Sequence, residues 1–114
     1  MKIKKKYKSL FIIPISATKE LTDIGWEFDS KKHMNNDVVQ KLNNEFEMAL
    51  SHDSDSYSGE GFKVDVFYMS EGEIESIFIR DYSDEFYMSE LLLSLYKGSD
   101  EVEIFIPSMN DAIK

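Results

Sequence analysis

The chain has 114 residues, with 13 Lys and Arg against 22 Asp and Glu, a formal net charge of −9, and no cysteine. That length fits a single domain, and eight Phe, six Tyr and one Trp supply enough large apolar area to exclude global disorder. The missing cysteine excludes a disulfide framework, thiolate chemistry and Cys-ligated zinc; the negative charge excludes a bare nucleic-acid binder, because it repels phosphate.

Residues 1–8 carry five lysines and no acid, and an apolar run from Leu10 to Ile15 follows. This resembles the start of a secretory signal. The run is too short, however, is broken by Pro14, and lacks a small-x-small cleavage site. No stretch approaches the ~18 apolar residues of a membrane span. A cytoplasmic protein without membrane association is expected, with a basic segment over residues 1–8, one domain over 1–107 and a tail over 108–114.

Residues 10–15 read as a strand apolar toward both faces, with Pro14 near its end. Residues 16–22 read as a connection. Ile24, Trp26 and Phe28 alternate with Gly25, Glu27 and Asp29, the period of a half-buried strand. The period then changes: Met34, Val38, Leu42, Phe46 and Leu50 recur every four residues, one apolar stripe on a helix capped by Asn35 or Asn36. Asn43 and Asn44 fall on its solvated face. Residues 52–61, rich in Ser, Asp and Gly, read as a loop.

Phe62, Val64, Val66 and Tyr68 alternate with Lys63 and Asp65, Gly72 offers a turn, and residues 74–80 return as a second strand, so a β-hairpin is predicted. Ser83 caps a second helix with apolar Met88, Leu91, Leu92, Leu95 and Tyr96, ended by Lys97 and Gly98. Val102, Ile104 and Ile106 form the last strand before Pro107. The pentapeptide beginning at Phe67 recurs beginning at Phe86, but the flanks differ. One copy is therefore predicted to end a strand and the other to open a helix.

The order β(β)αββαβ predicts an α+β fold, a mainly antiparallel sheet of four or five strands with both helices on one face. With residues 24–28 as an insertion, the rest resembles the split βαβ pattern of ferredoxin-like domains. Their first and third strands are central, which suits the two most continuously apolar strands. The 24–28 segment is expected to cover the second sheet face.

Catalytic ingredients are thin. His33 and His52 are the only histidines and Arg80 the only arginine. Counting Asp53 as position 1 of a calcium loop puts Tyr57, Ser58 and Val64 where an acid, a glycine and a glutamate are needed. No nucleotide-binding, nucleophile-elbow or metalloprotease motif occurs, so no enzyme activity, metal or cofactor is expected. A catalytic or small-molecule role for the loop between His52 and Glu60 is the weakest reading.

The acidity is concentrated in the second half. From His52 to Glu103 there are 14 acids against Lys63, Arg80 and Lys97, a net of −11. Alternate strand residues lie about 6.6–6.8 Å apart on one face. Glu71, Glu73 and Glu75 are thus expected to form a carboxylate row, continued by Asp81, Asp84 and Glu85, with Tyr82 and Trp26 as aromatic anchors. Regularly spaced negative charge imitates a nucleic-acid backbone. It predicts an inhibitor that binds a basic partner protein, a nuclease or nucleic-acid-guided complex, acting as monomer or homodimer. In general character the chain resembles the small acidic proteins of anti-CRISPR, anti-restriction and immunity type, found in phages and toxin–immunity loci. The alternative is a structural or regulatory module that binds a protein, or itself, through an apolar sheet face.

Overall fold

The computed structural model describes residues 7–59, 61–70 and 73–107. The strands are β1 (Lys8–Pro14), β2 (Thr18–Thr22), β3 (Gly25–Asp29), β4 (Ser56–Ser58), β5 (Phe62–Ser70), β6 (Glu73–Asp81) and β7 (Val102–Phe105); the helices are α1 (Asp37–Phe46) and α2 (Tyr87–Leu95). Five strands form one antiparallel sheet in the order β4-β5-β6-β1-β7, and β2 pairs with β3 alone. Without β4 and the hairpin, the first and third long strands are central and the second and fourth flank them. This is the split βαβ order the sequence predicts.

Period-2 patterning decides the two faces. Leu10 and Ile12 of β1, Val64 and Val66 of β5, and Ile77 and Ile79 of β6 point to one side. There Val38, Val39 and Leu42 of α1 and Met88 and Leu92 of α2 cover them in a single core. The two helices meet where the Tyr96 hydroxyl donates to the Val38 carbonyl at 2.7 Å. The opposite face carries aromatics: Phe11 and Phe78 are register partners with rings stacked 4.7 Å apart. The β2–β3 hairpin lies over this row. Phe28 packs 5.0 Å from Phe11, and Trp26 meets Phe105 edge-on at 4.8 Å. Thus the second face is covered by Trp26 and Phe28, and the covering spans β1 and β7.

Several local details correct the sequence reading. Thr18–Thr22 is a strand rather than a connection, because it pairs with β3 from Thr18↔Asp29 to Thr22↔Gly25. Ile24 is the hairpin turn, 89% exposed, with Gly25 at φ 123°. Ser56–Ser58 leaves the expected loop to form a short edge strand on β5. Helix α1 ends at Phe46, where Glu47 turns left-handed (φ 54°), so Leu50 reaches the core from outside the helix. Asn43 holds that return: its Oδ1 accepts from the Leu50 N–H at 2.8 Å and its Nδ2 donates to the Leu50 carbonyl at 3.0 Å. Asn43 therefore serves this loop instead of a solvated face. At the other end, the Asn35 side chain, not Asn36, accepts the Asp37 N–H at 2.9 Å.

The two copies of the pentapeptide differ in conformation as predicted: the described part of the first, Phe67–Ser70, ends β5, and the second opens α2, with Phe86 preceding its first residue. Alternation turns Phe67 and Met69 outward on the strand, whereas helical geometry buries Met88 and turns Tyr87 outward.

Candidate protein-binding surface

The segment joining β6 to α2 is organised around one carboxylate. Asp81 is fully buried at the end of β6. Its Oδ1 accepts the N–H and hydroxyl of Ser83 at 2.8 and 2.5 Å, and its Oδ2 accepts the N–H and hydroxyl of Ser89 at 2.8 and 2.6 Å. Ser83 Oγ in turn accepts the Met88 N–H at 3.1 Å. A buried carboxylate needs such donors, since an unpaired one would carry a large desolvation penalty. Asp81 is therefore internal and presents nothing to a partner, a correction to its expected place in the acidic row.

What this knot fixes is the outward geometry of residues 84–91. Asp84–Phe86 is a single 3-10 turn, and Glu85 and Phe86 are both left-handed, at φ 54° and 56°. Non-glycine residues avoid that region, so the surrounding bonds hold the turn in shape. Asp84 and Glu85 are exposed, as is Glu90 in the first turn of α2. Tyr87 and Leu91, one helical turn apart on the outer face, are 55% and 44% exposed. Leu91 is thus a surface residue rather than part of the predicted buried stripe. Among the described residues, Asp84, Glu85 and Glu90 have no cation within 4 Å.

The other expected residues are dispersed. Glu73 accepts from His33 Nδ1 at 2.8 Å. Glu75 is half-buried in a hollow with Met69, Phe28 and Asp29. Glu71 lies outside the described residues, so the three-carboxylate row is not seen as a unit. Bulges in both β5 and β6 near Tyr68 break regular alternation there. Tyr82 is half-buried, its ring 5.2 Å from Tyr7, and its N–H donates to the Gly61 carbonyl at 2.9 Å. Trp26 sits over Phe105, far in function from the acidic turn, as part of the hairpin cover.

Sequence reasoning missed Tyr87, Glu90 and Leu91 as surface features. The available signal was the excess of apolar residues on α2 over what one buried stripe requires. It also missed a cavity of about 230 Å³ between the start of α1 and the α2–β7 connection, lined by Lys32, His33, Lys41, Asp37, Asp100 and Glu101 among others. Small-molecule pockets usually span ~300–1,000 Å³ and converge a few placed polar groups, whereas this lining mixes opposite charges. His52 stands 4.0 Å from Asp53, both exposed, and its ring meets Tyr68 at 5.0 Å. Burial, with the Asp55 carboxylate second, pushes the Tyr68 phenol above its ordinary value. Among the described residues, no group of three or more His, Asp or Glu is placed to hold a metal ion, and no helix is long and apolar enough to cross a membrane.

Fold and surface together define a small α+β protein of split βαβ topology, with a covering hairpin and an acid-rimmed helix face. The chain matches no family model, no curated protein and no solved structure.

Proposed function

We propose that this protein is a non-enzymatic inhibitor that acts in the cytoplasm by binding a basic partner, a nuclease or nucleic-acid-guided complex, in the manner of anti-CRISPR, anti-restriction and immunity proteins. One observation carries the reading. Tyr87 and Leu91 are exposed one helical turn apart, with exposed Asp84, Glu85 and Glu90 beside them in the chain, on a segment anchored by the Asp81 hydrogen bonds. Aromatic and aliphatic anchors supply affinity at the centre of an interface, while charges around them steer encounter and select the partner. A segment already fixed in its binding shape loses little entropy on docking. Seated in a basic groove, the carboxylates replace phosphates and exclude the nucleic acid by occupancy.

Affinity capture from a host extract identifies the partner, and purified components then test the assignment. The association rate is expected to fall steeply as salt rises. Tyr87→Ala is expected to weaken binding about tenfold or more, and Asp84→Lys with Glu90→Lys to slow association. Binding unchanged by all three substitutions would refute this surface.

A further inference from the structure

The five-stranded sheet has two edges of opposite character. One is β4, three residues long, with an exposed serine on either side of Tyr57. The other is β7, whose outer side pairs with no strand among the described residues. We propose that this edge seats an extended segment of a partner protein, added as a sixth, antiparallel strand. From N to C the segment carries two apolar residues, a small polar one, an apolar one and two basic ones.

Backbone register fixes what the edge offers. The Ile15 N–H donates to the Glu101 carbonyl at 2.9 Å, so along the β1–β7 ladder Glu101, Glu103 and Phe105 turn their backbone groups toward β1. Pro14 agrees: it has no N–H to give, and it stands opposite Val102, between two bonded pairs. Val102 and Ile104 therefore turn their backbone groups outward. The Val102 N–H is taken by Ser99 Oγ at 3.2 Å. The Val102 carbonyl and both groups of Ile104 face no strand among the described residues. An extended chain is what matches donors and acceptors at that spacing.

Apolar cover on both sides selects the side chains. On the helix side an open groove of about 580 Å³ runs between α2 and this edge, with Leu93, Tyr96, Val102 and Ile104 in its wall, and Leu93 is 38% exposed. On the other face β3 crosses the sheet toward the edge: Asp29 borders Glu75 of β6, Phe28 lies on Phe11 and Phe105, and Trp26 meets Phe105. The turn beyond Trp26 therefore projects past β7, and Leu21, the register partner of Trp26, is 55% exposed there. In an antiparallel addition the residue opposite Ile104 points into the groove, and the one opposite Phe105 points beneath Leu21. Both are apolar, as is the residue opposite Val102. The residue opposite Glu103 is small and polar, because Lys19 already holds that carboxylate at 2.9 Å. Glu101 and Asp100 are exposed, with no cation within 4 Å among the described residues, and two basic side chains answer them. A second copy does not fit here, since pairing β7 with β7 about a two-fold sets both hairpin turns over the same seam.

Amide NMR of the full chain with the acetylated, amidated peptide Val-Val-Thr-Val-Lys-Lys tests the proposal. Shifts are expected at Leu93 and from Val102 to Phe105. The Ile104 amide, open to exchange in the free chain, is expected to exchange at least tenfold more slowly in the complex. N-methylation of the second valine, which removes the N–H that meets the Ile104 carbonyl, is expected to weaken binding at least tenfold, as is replacing both lysines by glutamate. Leu93→Asp and Leu21→Asp are expected to do the same, with circular dichroism showing that the fold is retained. Absence of shifts along β7 overturns the proposal. So does equal binding of the N-methylated peptide, or a chain that self-associates through β7. Tyr87→Ala is expected to leave peptide binding unchanged, because Leu93 lies roughly 200° around the helix from Leu91. Failure here therefore leaves the reading of the Tyr87–Leu91 surface standing.

Discussion

Asp81 and Ser89 are eight residues apart and belong to different elements, yet one carboxylate oxygen joins them twice: Asp81 Oδ2 accepts from the Ser89 N–H at 2.8 Å and from its hydroxyl at 2.6 Å. The last residue of β6 thereby sets where α2 begins. A helix entered through two left-handed residues has no ordinary side-chain cap, and Asp81 supplies the missing acceptor from the sheet.

Replacing Asp81 by Ala leaves the donors of Ser83 and Ser89 without an acceptor in a buried site. The expected cost is about 3 kcal/mol or more, read as a lower urea midpoint at unchanged slope. Asp81→Asn, which keeps the shape but supplies only one acceptor oxygen, is expected to destabilise less than Asp81→Ala.

Tyr96 gives the chain an alkaline limit. Burial pushes its phenol above the ordinary value of 10.0, so the folded state resists ionisation that the unfolded chain accepts. The Tyr96 contribution is complete below about pH 10 and is lost progressively as pH rises from there toward the folded value. Tyr96→Phe removes this part of the alkaline decline. It also leaves the Val38 carbonyl without its 2.7 Å donor, at about 1 kcal/mol at neutral pH. Thermal unfolding of both proteins from pH 7 to 11 checks the sign.

Trp26→Ala removes the edge-on contact with Phe105 and loosens the hairpin cover. About 2 kcal/mol of destabilisation is expected, with loss of the sole tryptophan's fluorescence and near-ultraviolet circular dichroism. Ile24→Ser, on the exposed turn two residues away, is expected to change stability by less than about 0.5 kcal/mol.

Glu47 ends α1 in the left-handed region that glycine occupies at no steric cost. Glu47→Gly is therefore expected to stabilise the protein by roughly 0.5 kcal/mol, the relief of backbone strain exceeding the added freedom of the unfolded chain. A higher melting temperature checks it.

Local period was legible in the sequence. The alternation in β5 and β7, the continuous apolar runs of β1 and β6, the four-residue recurrence in α1 and the apolar stripe of α2 identified the large elements. The two strands with apolar residues on both sides proved central. The short pieces were not legible. Thr18–Thr22 has only Leu21 as a large apolar residue and is a strand because Trp26 and Phe28 opposite it require a pairing partner to lie flat on the sheet. Ser56–Ser58 is polar apart from Tyr57 and exists because β5 offers a free edge.

The candidate surface was legible only as charge. Hydrophobic period and charge order determined that this is an acidic α+β protein whose acids crowd the second half of the chain, because net charge and period are local sums. Only the tertiary structure decided which acids are surface and which are skeleton. Asp81 and Asp84 differ by three positions and carry the same side chain, but Ser83 and Ser89 enclose one and water meets the other. That distinction depends on donors brought together across the β6–α2 junction, and no local pattern encodes it.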